Sequence, residues 1–143
     1  MTFEAIQPGL VGEIRLVVAE EHTAKHIGSG GVQVLATPQM VLLMERAAVA
    51  AVDPLLPERY RTVGARLDVR HLAPTPIGFE VVATAELVAV EGRRLTFRVQ
   101  AHDGPFGDAQ GRVELVGEGT HQRAIIQVQT FGERVAQKAA LHR

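Results

Sequence analysis

Three residues of this sequence carry side chains that together could cleave an acyl group: Thr37, Glu45 and His71. A hydroxyl, a carboxylate and an imidazole are the parts such a reaction needs: a nucleophile or a holder of water, a base, and a group that orients it. Thr37 and Glu45 lie in "VLATPQMVLLMERAAVAAVDP", Val34 to Pro54, an apolar stretch with a carboxylate in its middle. Moving an unpaired charge out of water costs several kcal/mol, so Glu45 needs compensation. Its neighbour Arg46, or an interface between subunits, would supply that without any chemistry. Thr37 precedes Glu45 by about two turns at 3.6 residues per turn, which sets the start of the helix and the carboxylate on overlapping sides. Free N–H groups at such a start suit a developing oxyanion. Taken singly, Thr37 reads more readily as a helix cap, and an inward histidine as a satisfied core residue. Spacing does not make the three converge.

These residues need elements to hold them. Thr37 followed by Pro38 predicts a helix start, a hydroxyl to cap free N–H groups and then a ring whose fixed φ suits the first turn. The helix is expected to run to about Val52, where Asp53-Pro54 stops it. Apolar nearly all round, it is predicted to be buried. From Gly64 onward the period becomes two. In "GARLDVRHLAP" the residues Ala65, Leu67, Val69 and His71 share a face expected to be buried, opposite Arg66, Asp68 and Arg70. A short strand is expected from about Ile14 to Val18, then a glycine-rich loop in "IGSGGVQ" that suggests mobility. "GFEVVATAELVAV", "RLTFRVQAHD" and "RVELVGEGTHQRAIIQVQ" read as three further strands, with "VEGRR" as a tight hairpin. Gly117 and Gly119 predict a bulge or bend. "HDG", His102 to Gly104, reads as a turn, and "FGERVAQKAALHR" as a short helix or a frayed end.

A length of 143 residues predicts a single domain over 1–143. Hydrophobic residues at 46% and charged ones at 22% predict a folded protein. A net charge of −1 with no Lys/Arg block argues against nucleic acid or a membrane as partner. The absence of cysteine removes disulfides, thiolate metal sites and a thiol nucleophile. No signal region is visible at the N-terminus, so a cytoplasmic protein is expected. His22 and His26 stand four apart, but without the following glutamate and the helix that a zinc site needs. One early strand, one apolar helix and then antiparallel strands predict an α+β hot-dog fold, a curved antiparallel sheet wrapped around one long buried helix.

"LATPQMVLLMERAAVAAV", "GARLDVRHLAPTPIGFEVVATAEL", "VEGRRLTFRVQAHDG" and "GEGTHQRAIIQVQTFGERVAQK" resemble successive blocks of the fluoroacetyl-CoA thioesterase-like family of hot-dog proteins. The resemblance covers most of the chain. It implies hydrolysis of an acyl-CoA thioester, with Thr37, Glu45 and His71 as the catalytic set and Gly64 near the substrate carbonyl. It also implies a cleft at the interface of a homodimer or a dimer of dimers, and no metal or other cofactor beyond the coenzyme A of the substrate. Arg93 and Arg94, after the hairpin turn, are candidate contacts to coenzyme A phosphates. Between His26 and Thr37 the chain departs from the fluoroacetyl specialists, which carry lid phenylalanines there. "IGSGGVQVLA" has no aromatic residue, so a short acyl group is implied and fluoroacetyl selectivity is not. The Asp/His motif of hot-dog hydratases and the His-Gly-Gly motif of another thioesterase branch are not evident. The alternative function is a non-catalytic protein that holds an acyl-CoA without turning it over.

Overall fold

The computed structural model describes residues 3–104 and 113–142. Five strands form one antiparallel sheet in the order β1-β3-β4-β5-β2. They are β1 (Val11–Val17), β2 (Tyr60–His71), β3 (Glu80–Glu91), β4 (Arg94–Gly104) and β5 (Glu114–Gln127). One turn of helix, α1 (Ala24–Ile27), precedes the long helix α2 (Thr37–Val52), and α3 (Val128–Leu141) follows β5. The C-terminal stretch is therefore a helix, capped where the Thr130 N–H donates to the Gln127 side chain at 2.8 Å. The first residue of the expected last strand, Arg112, lies outside the described residues.

Alternation explains how the sheet meets the helix. On β4, Leu95, Phe97, Val99 and Ala101 face inward and are fully buried. They pack with Val81, Ala83, Ala85 and Leu87 of β3 against Met40, Leu43, Met44, Ala47, Ala48 and Ala51 of α2. Small residues let backbones come close: a Cβ on Gly12 of β1 would stand 2.0 Å from the Ala47 carbonyl oxygen. The hairpin turns at Gly92, with φ +63°, between the paired residues Glu91 and Arg94. A register shift in β4–β5 falls beside Gly117, which pairs with Ala101 while His102 pairs with Leu115.

Four expectations need correction. His102 and Asp103 continue β4 instead of turning, because Asp103 is buried and accepts a hydrogen bond from Thr75 at 2.7 Å. Helix α2 is not enclosed within one chain; Leu42 is 46% exposed on the side turned from the sheet. Strand β2 starts at Tyr60 rather than Gly64, since Thr62 and Val63 already pair with β5. Its second half is only partly a buried face, for Val69 packs against the core and His71 is half-buried. β2 is the edge of the sheet, and Leu67 is 41% exposed there.

Candidate active site

The chain entering α2 is fixed by backbone bonds: Leu35 N–H donates to the Thr75 carbonyl at 2.9 Å and Ala36 N–H to the His22 carbonyl at 3.0 Å. The N-cap is Ala36, with no side-chain capping bond, so Thr37 is the first helical residue and not the cap that its type suggests. Its hydroxyl instead meets Nδ1 of His71 at 2.7 Å. Burial pushes the His71 imidazole below its ordinary pKa of 6.5, with the Ala73 backbone pulling the other way. His71 is therefore neutral near pH 7 and able to take a proton. Its Nε2 is buried and meets no hydrogen-bond partner among the described residues. Thr37 and His71 share a cavity of about 380 Å³ with Ser29, Gly30, Val32 and Val34 of the glycine-rich loop.

Glu45 lies elsewhere. With Gly64, Arg66, Leu67 and His121 it lines a second cavity, of about 250 Å³. Eight residues of helix at about 1.5 Å each put it roughly 12 Å from Thr37 along the axis. A small acyl group cannot touch both within one chain. Nor is Glu45 buried: its side chain is 34% exposed, because it lies on the flank of α2 that opens toward the sheet edge. Its partner is not Arg46 but the buried Arg123 of β5, at 3.8 Å. Gly64 keeps this place open, for a Cβ there would stand 3.1 Å from Glu45 Oε2 and 3.6 Å from both Arg123 Nη1 and His121 Cε1.

A β-bulge sets Gly64 and His71 on the same face of β2. Gly64 and His71 are separated by an odd number of positions, so strict alternation would turn them to opposite faces. The pairing shifts between Gly64, opposite Arg123, and Arg66, opposite Gln122. The extra residue, Ala65, exchanges the parity. Thr62 and Gly64 face the helix before it, and Leu67, Val69 and His71 share the inward side after it, Leu67 standing opposite the buried His121.

His121 and Arg123 were not singled out from sequence as site residues, although they stand in the "GTHQR" block. Their signal was period two: they alternate inward with Ile125 along β5, polar residues at core positions. The Nη1 group of Arg123 donates to His121 Nε2 at 3.0 Å, and His121 Nδ1 donates to the Arg66 carbonyl at 2.8 Å. Arg93 stands over the rings of Phe3 and Tyr60, 6.0 and 5.7 Å from their centroids, and borders a depression with Phe131 and Arg134. The structure does not bring it to either cavity, and Arg94 is an exposed residue at the start of β4. His22 is used locally, its Nδ1 accepting from the Ala19 N–H at 2.9 Å.

A single long helix laid across an antiparallel sheet, with a threonine and histidine at the helix start, defines a hot-dog protein of the thioesterase type. The comparisons agree. The family model described as fluoroacetyl-CoA-specific thioesterase matches residues 18–129, and the chain belongs to that family. A fluoroacetyl-CoA thioesterase of Streptantibioticus cattleyicolor is 46% identical over 106 residues, 74% of this chain and 70% of that one. The solved fluoroacetyl-CoA thioesterase superposes with a TM-score of 0.80 at 38% identity, covering 93% of this chain and 97% of that one. A hot-dog-like protein from Thermanaerovibrio acidaminovorans gives 0.83 at 26% identity, covering 96% and 97%.

Proposed function

We propose that this protein is an acyl-CoA thioesterase that hydrolyses a short acyl thioester to the free acid and coenzyme A. The observation that carries this reading is the 2.7 Å contact between the Thr37 hydroxyl and the neutral His71 imidazole, at a helix N-terminus and in the wall of a cavity. A helix start offers free N–H groups to a developing oxyanion, and an imidazole below its ordinary pKa takes the hydroxyl's proton. Glu45 activates water or attacks the carbonyl itself, Gly64 leaves room for that carbonyl, and no metal takes part. A solved relative, a threonine-to-serine variant of the fluoroacetyl-CoA thioesterase, holds acetyl-CoA; it is 37% identical with a TM-score of 0.81 over 93% of this chain and 98% of that one.

The two cavities of one chain become one cleft in a homodimer, or in a dimer of dimers. Gly64 and His71 lie roughly 20 Å apart along β2 at about 3.3 Å per residue. Antiparallel pairing of two β2 edges about an axis near Leu67 and Asp68 sets Gly64 of one copy beside the partner's His71. The same pairing satisfies an open sheet edge. Arg93 and Arg94 serve coenzyme A phosphates, Arg93 sharing its depression with Arg134. The cavity wall formed by Ser29, Gly30, Val32 and Val34 has no aromatic side chain. A pocket difference of this kind is worth about 1–3 kcal/mol, so acetyl-CoA is accepted and fluoroacetyl selectivity stays far below about 10⁴.

The test is thiol release from a panel of acyl-CoAs including acetyl- and fluoroacetyl-CoA. We expect turnover of short acyl groups, lowered at least about a hundredfold in Glu45→Gln and in His71→Ala while both stay folded. Binding without thiol release would replace hydrolysis by the holding function, and a fluoroacetyl preference of about 10⁴ or more would refute the lid argument.

A further inference from the structure

Asp53 ends α2, and Pro54 follows it, so its place in the sequence is that of a helix stop. Its carboxylate does more than end a helix. Oδ2 accepts the Thr62 N–H at 3.1 Å and Oδ1 accepts the Thr62 hydroxyl at 2.5 Å. A hydroxyl has one hydrogen, and here it goes to Asp53, so the oxygen of Thr62 is left to accept. It accepts from Arg123 Nε at 2.8 Å, while the Thr62 carbonyl accepts from Nη2 at 3.1 Å. Two nitrogens along one edge of the guanidinium are thus held by one residue of β2. The remaining nitrogen, Nη1, faces His121 Nε2 at 3.0 Å and Glu45 at 3.8 Å.

Arg123 and Thr62 are 6% and 7% exposed, so this is a buried, directional chain between a helix end and a carboxylate about two turns earlier on the same helix. Burial works against the charge of Arg123, and Asp53 and then Glu45 act to restore it. A guanidinium held in a fixed plane presents its free edge in one direction only.

We infer that Asp53 is a positioning residue for the Glu45 centre: through Thr62 it fixes the plane of Arg123, and Arg123 sets the carboxylate of Glu45 and the ring of His121. The inference rests on the reading of Glu45 as a reacting group. It adds a residue that touches neither cavity and that the helix-stop role of Asp-Pro does not require. A displacement of about 1 Å at a reacting group can cost up to about a hundredfold in rate, which sets the scale of the effect.

The test compares Asp53→Ala, Thr62→Val, Thr62→Ser and the Asp53→Ala/Thr62→Val double variant with the wild type, using thiol release from the best acyl-CoA of the panel. Thermal melts normalise each rate to folded protein. We expect kcat to fall about tenfold to a hundredfold in the first two at nearly unchanged KM. Thr62→Ser, which keeps the hydroxyl, should stay close to wild type. The double variant should lose no more than the worse single, as for residues in one chain of contacts. A helix stop alone would lower the melting temperature and leave kcat where it was, and that result in either folded variant overturns the proposal. If Thr62→Val does not fold, the split between kcat and KM in Asp53→Ala decides. A wild type that releases no thiol from any acyl-CoA would remove the reading of Glu45, and this inference with it.

Discussion

His121 can carry its proton on only one ring nitrogen. Arginine has no acceptor, so the contact from Arg123 leaves Nε2 unprotonated and sends the proton from Nδ1 to the Arg66 carbonyl. A second proton would set two donors against each other. Burial, with Arg123 adding to it, accordingly pushes His121 below 6.5, against the pull of the Arg66 carbonyl and Glu45; His71 is shifted the same way by burial. The folded state therefore binds fewer protons than the unfolded chain once the pH drops below 6.5. Stability from both histidines is fully present above that value and is lost as pH falls from it toward their lowered folded values. We expect the melting temperature to decline between about pH 8 and about pH 5.5, less steeply in His121→Gln; a curve flat or rising toward acid would contradict the assignment. At this scale Thr37 and His71 were legible as candidates from residue type, and that Thr37 is not the helix cap was not. A cap and a hydrogen-bonded hydroxyl have the same sequence, and only the bond of Leu35 to Thr75 and of Ala36 to His22 decides which one forms. The partner of Glu45 was hidden for a different reason: Arg123 is distant in sequence and reaches Glu45 only through the fold, from a strand set between β4 and β2.

The elements are legible where periodicity is strong. The long helix ends within a residue of its expected bounds, and β3 and β4 follow their alternation closely. The bulge at Ala65 was not legible, since one inserted residue leaves the hydrophobic pattern of "GARLDVRH" intact and changes only which half of β2 shares a face with which. Close approach of elements is likewise a property of contact rather than of pattern. Gly12 of β1 lies against the backbone of α2, where a Cβ would come within 2.0 Å of Ala47 O and 2.7 Å of Ala51 N. Neither atom can rotate away, so the strand or the helix must shift. Gly12→Ala should cost at least about 2 kcal/mol in chemical denaturation. Gly132, within the exposed α3 and with open space where its Cβ would be, provides the contrast. Gly132→Ala should be stabilising by up to about 1 kcal/mol, and equal effects at the two positions would show that conformational freedom alone, not proximity, governs both.

For the whole molecule, the sequence pointed to one sheet and one helix, and it left open which strand lies at the edge. That follows from the order β1-β3-β4-β5-β2, which leaves β2 unpaired on one side and Leu67 exposed there. We expect light scattering to give the mass of two or four chains at micromolar concentration, and Leu67→Glu to shift it toward one chain; a wild-type monomer would exclude the shared cleft. Strand β2 carries Gly64 and His71 on the same segment whose edge is free. If two copies pair along it, as proposed, the neighbouring subunit behaves thermodynamically as a ligand of the cleft. By mass action, acyl-CoA that binds only the paired form would then tighten association, and dilution would act as an inhibitor, lowering turnover per chain as pairs dissociate. The amount of enzyme in a given volume, and not only its affinity for substrate, would then set how much thioester it clears.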